Sequence, residues 1–228
     1  MRFRYVALDE AAPAEAVVVI DVLRAFTVAP WLFHQGATRV LTVADREHAT
    51  RLRDSVFPDA LLAGEQNGRP VEGFDLGNSP SEVARHDLAG RTVIHRTSAG
   101  TQGLALTAGS GQVFAASFVN AAATAAALRS AGLAEVTFVI TGASLGRDGD
   151  EDMAAAELIA ARARGQAPDP APYLARVAAS DAGNLFTPDG PDWAPDEDMA
   201  MACEVDRFDR ALRATPMPDL DAIEIRPV

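Results

Sequence analysis

Residues 17–20 read Val-Val-Val-Ile and run directly into Asp21. A strand that is apolar at every position, not at alternating ones, is buried on both faces, as in parallel sheets flanked by helices. The same grammar recurs along the chain. "TRVLTV" (38–43), "RTVIH" (91–95), "GQVFAAS" (111–117) and "EVTFVI" (135–140) each lead through small and polar residues into a helical pattern. The first helix is predicted from Ala25 to Gly36. The second is "DREHATRLRDS", with Asp45 as its N-cap. Strands alternating with helices predict an α/β fold, three-layered α/β/α, with a largely parallel or mixed central sheet. Residues 17–53 and 92–129 share element order and length, which an internal duplication explains and a plain βαβ repeat explains nearly as well. After Gly165 the pattern weakens into Pro/Asp-rich loops. An amphipathic helix is expected over "MAMACEVDRFDRALRA" (199–214), then a final edge strand in "DAIEIRPV" (221–228). No boundary divides the chain, so residues 1–228 are expected to form a single domain.

Composition narrows the chemistry. The formal charge is -12, which argues against nucleic acid or an anionic membrane as partner. All 20 basic residues are arginine, so Schiff-base chemistry and a phosphate-loop lysine are excluded. Cys203 is the single cysteine, which rules out an internal disulfide and a cysteine-rich metal site; it is expected to be a buried small apolar residue of a helix rather than a nucleophile. No apolar run is long enough to span a bilayer, and acids interrupt the N-terminal stretch where a signal peptide needs an apolar core. A soluble, cytoplasmic protein is expected.

In open α/β sheets, ligands bind beyond the carboxyl ends of the strands. Asp21, Glu65, Thr97 and the "GRDGDED" loop (146–152) all fall at such ends. "HRTSAGTQG" sets Arg96, Thr97, Ser98 and Thr101 between a strand and a helix, with Gly100 among them. This combination suits a phosphate, sulfonate or carboxylate; the same residues also make an ordinary N-cap turn. With few histidines and one cysteine, any metal site must be built from carboxylates, which favours Mg²⁺ or Mn²⁺ over Zn²⁺. Asp21 and Glu65 each end an apolar strand. Asp148, Glu151 and Asp152 cluster where a helix begins, a position where acids also serve simply to complement the helix dipole. The Gly-punctuated segment "GEQNGRPVEGFDLGNSPSEV" (64–83) is long for a connection inside a compact domain; Asn78 and Ser79 either bind there or cap the helix after Pro80.

Together, "IDVLRAFT", "GEQNGRPVEGFDLGNSPSE", "TSAGTQG" and "GRDGDEDMAAAELI" resemble, in order and spacing, the 2-phosphosulfolactate phosphatase (ComB-like) family. The likeness runs from Val17 to Ile159, and more loosely through "SDAGNL" and "DEDMAMACEVD". It implies a Mg²⁺-dependent phosphatase acting in coenzyme M biosynthesis, on a small acid that carries a phosphate ester beside a carboxylate and a sulfonate. The implied catalytic residues are Asp21, Arg24 and Glu65. Mg²⁺ would be held by Asp21, Glu65 and Asp152, and the substrate by Asn67, Asn78, Ser79, Arg96, Thr97, Ser98, Gly100, Thr101 and Arg147. The expected partner is a small anionic phosphorylated molecule, and a homodimer is an assembly the resemblance admits. Two departures stand out: Gln66 replaces the arginine of the family's usual "GERNG", and Ser98–Ala99 replaces the Thr-Asn of "TTNGT". They bear on which acid group is recognised. Two further readings are a non-catalytic binder of phosphorylated or sulfonated acids, and a different metal-dependent hydrolase on the same scaffold.

Overall fold

The computed structural model describes residues 1–144 and 146–228. In chain order its elements are β1 (Arg2–Ala7), β2 (Ala16–Ile20), α1 (Ala25–His34), β3 (Arg39–Thr42), α2 (Arg46–Ser55), β4 (Leu61–Gln66), β5 (Arg69–Pro70) and α3 (Pro80–Val83). There follow β6 (Thr92–Arg96), α4 (Gly100–Thr107), β7 (Gln112–Ala116), α5 (Ala121–Ser130), β8 (Glu135–Ile140), α6 (Asp150–Ala163), α7 (Ala171–Ala179), α8 (Asp196–Ala202), β9 (Leu212–Met217) and β10 (Ala222–Pro227). The expected α/β architecture is present. Every residue of β2 is buried. Val18 and Ile20 face α5 and α6, while Val17 and Val19 face Phe26 of α1 and Leu104 of α4. On the other side of the molecule Val40, Ala63 and Val93 pack toward α1, and Leu41, Leu62 and Ile94 pack toward α2. This two-sided burial is what the unbroken apolar strands require.

Local signals held at the helix starts. The Asp45 carboxylate accepts from His48 N at 2.6 Å, and Ser79 caps α3 with Pro80 in its first turn.

The ten-stranded sheet has the order β1-β8-β2-β7-β9-β10-β3-β6-β4-β5. Two parallel blocks, β1-β8-β2-β7 and β3-β6-β4, are joined by the antiparallel hairpin β9–β10. β7 pairs antiparallel with β9 and β10 antiparallel with β3, so the two blocks run in opposite directions. The order is palindromic about the hairpin. β2–α1–β3 starts in one block and ends in the other, and β6–α4–β7 makes the reverse crossing, so that β2 pairs with β7 and β3 with β6. These are the two segments whose element order matches in the sequence.

The C-terminal region differs from expectation. "DAIEIRPV" is not an edge strand: β10 lies in the middle of the sheet, bonded to both β9 and β3. The helix expected over 199–214 ends at Ala202, and its last residues become the start of β9. The apolar residues there satisfy a sheet instead, with Leu212 and Ala214 buried against Val113 and Ala115. Cys203 caps α8 and is half-buried; burial pushes its thiol pKa up.

Candidate active site

β2 and β4 are six strand positions apart, about 29 Å in a flat sheet at roughly 4.8 Å per strand. Yet Arg24, just beyond β2, donates from Nη2 to the carbonyl of Gly68, just beyond β4, at 3.3 Å. The sheet is therefore far from flat, and the carboxyl ends of its two opposed blocks meet. Where they meet lies a cavity of about 290 Å³. Asp21, Arg24, Glu65, Asn67, Asn78, Ser98 and Arg147, all expected site residues, line it, together with Leu23, Gly68, Ala99, Ser144, Ala182, Leu185, Phe186 and Trp193.

Asp21 is 6% exposed. Its Oδ1 accepts from Ala25 N at 2.9 Å, at the start of α1. A Cβ on Gly100 would sit 2.7 Å from Asp21 Oδ2 and 2.8 Å from the Ala25 methyl, so only glycine lets the α4 start close over this carboxylate. Burial pushes the Asp21 pKa up to about 7, with Glu65 and Glu151 adding repulsion. Glu65 is fixed by backbone on either side: Oε1 accepts from Ser98 N at 2.5 Å, and Oε2 from Gly68 N at 2.6 Å and Ser98 Oγ at 3.1 Å. Asn78 Oδ1 lies 3.0 Å from His95 Nε2. Because a carbonyl oxygen only accepts, Nε2 carries the proton. Full burial lowers the His95 pKa to about 4, so the ring is neutral, and the Asn78 amide NH₂ remains to donate.

Several expected site residues lie outside the cavity and have structural work instead. Thr97 and Thr101 are buried and bonded to each other, Thr101 N to Thr97 Oγ1 at 3.0 Å and Thr97 N to Thr101 Oγ1 at 2.9 Å, which ties the end of β6 to the first turn of α4; the N-cap itself is Ala99 and makes no side-chain bond. Gly100 acts through its missing side chain. Arg96 donates from Nη1 to the Glu65 carbonyl at 2.7 Å and from Nε to the Ala44 carbonyl at 3.3 Å, stitching two strand ends together. Ser79 caps α3 and donates to Asp198 at 2.8 Å. Asp152 accepts from Val22 N and Gly142 N, each at 2.7 Å, and from Thr141 Oγ1 at 3.2 Å. Its carboxylate braces the turn that presents Asp21.

Arg24 lines the cavity but its guanidinium is already engaged. Nη1 bonds Asp198 and the Trp193 carbonyl, each at 2.7 Å, and Phe186 lies 5.1 Å from its Cζ. Asp198, fully buried, and the aromatic pair Phe186 and Trp193 were invisible to sequence reasoning. They sit in the Pro/Asp-rich tail, where no periodicity signals burial; a buried acid opening α8 looks like any helix-start acid.

The acids bear on metal binding. Asp21, Glu151 and Asp152 are buried together and each has its pKa raised, burial being the first cause in all three. Glu151 Oε2 is buried with no hydrogen-bond partner. Such a concentration of uncompensated carboxylate suits a divalent cation. No three His, Cys, Asp or Glu side chains among the described residues form a ready-made ligand group, so Asp21, Glu65 and Asp152 do not converge as a cage.

The profile of the 2-phosphosulpholactate phosphatase family matches residues 4–185, from β1 to the edge of the cavity's aromatic wall. The chain belongs to this family. A protein of Deinococcus radiodurans named probable 2-phosphosulfolactate phosphatase is 41% identical over 161 residues, 70% of this chain and 66% of the relative. One of the same name from Bacillus subtilis is 37% identical over 148 residues, 65% of this chain and 64% of the relative. The matches thus span just under two thirds of these relatives' own length. The family's matched segment contains Asp21, Arg24, Glu65, Asn67, Asn78, Ser98 and Arg147, but ends before Phe186, Trp193 and Asp198. No helix among the described residues is long and apolar enough to cross a membrane.

Proposed function

We propose that the protein is a Mg²⁺-dependent phosphoric monoester hydrolase acting on a small phosphorylated hydroxy acid, 2-phosphosulfolactate or a relative of it, in the cytoplasm. The observation that carries this reading is the pair of backbone-fixed carboxylates, Asp21 and Glu65, facing one cavity beside amide, hydroxyl and guanidinium donors. Family membership and the names of the relatives support the reaction class, and the coenzyme M pathway follows only if the sulfonated ester is the substrate.

Asp21 and Glu65 would hold the ion, with Glu151 and Asp152 supplying negative field behind them. When bound, Mg²⁺ would neutralise the phosphoryl oxygens and lower the pKa of a bound water. The chain's own residues do the rest. Asn78 NH₂ donates to an equatorial oxygen as charge develops on it, and Arg147 pairs with the substrate's second acid group; the Ser98 hydroxyl proton stays on Glu65. Asp21 either orients a water that attacks the phosphorus as the hydroxy-acid oxygen leaves, or attacks the phosphorus itself, expelling the hydroxy acid and giving an aspartyl phosphate that water then hydrolyses. Arg24 positions these groups by tying Gly68 and Trp193 to the Asp21 loop, not by contacting the phosphate. Phosphate release from phosphorylated hydroxy acids, with Mg²⁺ and after chelation, tests the proposal. Release that survives complete chelation would remove the metal from it, and ligand-induced thermal stabilisation without phosphate release would make the protein a binder.

A further inference from the structure

The hydroxyl of Ser98 has all of its hydrogen-bonding capacity in use. Asn67 N lies 2.8 Å from Oγ and Arg96 Nη1 3.3 Å from it; both can only donate, so they fill the two lone pairs of the hydroxyl. Its single proton is left for Glu65 Oε2 at 3.1 Å. The backbone N–H of Ser98 goes to Glu65 Oε1 at 2.5 Å, so one residue just beyond β6 grips both oxygens of a carboxylate at the end of β4. Gly68 N adds a second bond to Oε2 at 2.6 Å. A carboxylate oxygen has two lone pairs, so among the described residues Oε2 is saturated and Oε1 keeps one pair for a further ligand. The same hydroxyl holds the turn that follows. Asn67 has a φ of 53°, in the left-handed region that residues with a side chain rarely enter, and its N–H is fixed there by Ser98 Oγ. Glu65 and Asn67 both line the cavity.

We infer that Ser98 is a positioning residue for the reaction: its hydroxyl sets the orientation of the Glu65 carboxylate and the backbone of Asn67, so that Oε1 is the oxygen offered to a divalent cation. This rests on the phosphatase reading above and deepens it, because Ser98 acts through Glu65 and not by binding the ester. A group that orients a metal-binding carboxylate matters nearly as much as the carboxylate itself, since a ligand free to rotate holds the ion less well.

The test compares the wild type with Ser98→Ala and Ser98→Thr, the second of which keeps the hydroxyl. Calorimetric titration with Mg²⁺ alone should show binding about tenfold weaker in Ser98→Ala and wild-type affinity in Ser98→Thr. With the O-phosphate ester of 3-sulfolactate, Ser98→Ala should lose about tenfold in kcat while KM for the ester stays the same, and Ser98→Thr should recover the rate. Mg²⁺ binding in Ser98→Ala as tight as in the wild type, or binding in Ser98→Thr as weak as in Ser98→Ala, overturns the inference and leaves the phosphatase intact. If the wild type takes up no Mg²⁺, the phosphatase reading loses its metal and kcat decides: loss in Ser98→Ala with recovery in Ser98→Thr upholds the positioning role, and equal rates overturn it. If the wild type binds Mg²⁺ and releases no phosphate, the phosphatase reading fails and the Mg²⁺ affinities alone decide. A wild type that does neither overturns both.

Discussion

Asp21 shows how much a single residue owes to its surroundings. In the sequence it is an acid at the end of an apolar strand. In the structure it is buried, accepts one amide hydrogen bond, and is raised to a pKa of about 7 chiefly by burial. Asp21→Asn keeps the shape and removes the charge. It should lower phosphate release at least about a hundredfold with little change in far-ultraviolet circular dichroism. Gly100→Ala tests the packing over the same carboxylate. A methyl 2.7 Å from Oδ2 must displace it, and an error of that kind costs on the order of a hundredfold in kcat. His95 makes a separate prediction through pH. Its folded pKa, about 4, lies below its ordinary 6.5, so the unfolded chain binds the extra proton. Stability attributable to His95 is therefore complete above pH 6.5 and is lost as pH falls toward 4, by roughly 3 kcal/mol. Denaturant melts at pH 7 and pH 4.5 should show that loss in the wild type and a smaller one in His95→Gln.

At the scale of elements, the tail is held to the site by one buried acid. Asp198 accepts from Arg24, from Ser79 Oγ and from Ser81 N, so the starts of α1, α3 and α8 share a single carboxylate. Removing it leaves a buried guanidinium unpaired. Asp198→Ala should destabilise the protein by about 3–5 kcal/mol in equilibrium unfolding. The helix starts were legible because their signals are local: Asp45 and Ser79 bond amides three residues away. The Thr97–Thr101 hydroxyls looked like anion donors for the same local reason; in the structure Thr101 Oγ1 donates to the Thr97 carbonyl at 2.8 Å and Thr97 Oγ1 to Thr101 Oγ1 at 3.4 Å, within the pair.

At the scale of the whole molecule, the hairpin β9–β10 joins two opposed parallel blocks, and the site exists because strand ends of both blocks line one cavity. Ile225, fully buried in β10, should cost about 2–5 kcal/mol on truncation to alanine. The loss expected for an edge strand would be well under that, so chemical denaturation of Ile225→Ala distinguishes a central from a peripheral β10.

The chain's alternation of apolar runs, loops and helices determined by itself that it forms a covered α/β sheet with strand-end acids, because those signals act over two to four residues. It also carried the order of four loops that marks the family. What tertiary structure decided is non-local. Tertiary packing brought Asp21 and Glu65 to one cavity from strands six places apart, and it gave Arg24, Arg96 and Asp152 hydrogen-bond partners within the protein. The aromatic wall came from a tail whose composition resembles loop. Periodicity reports which face of an element is apolar; which distant element covers that face depends on packing the chain as a whole.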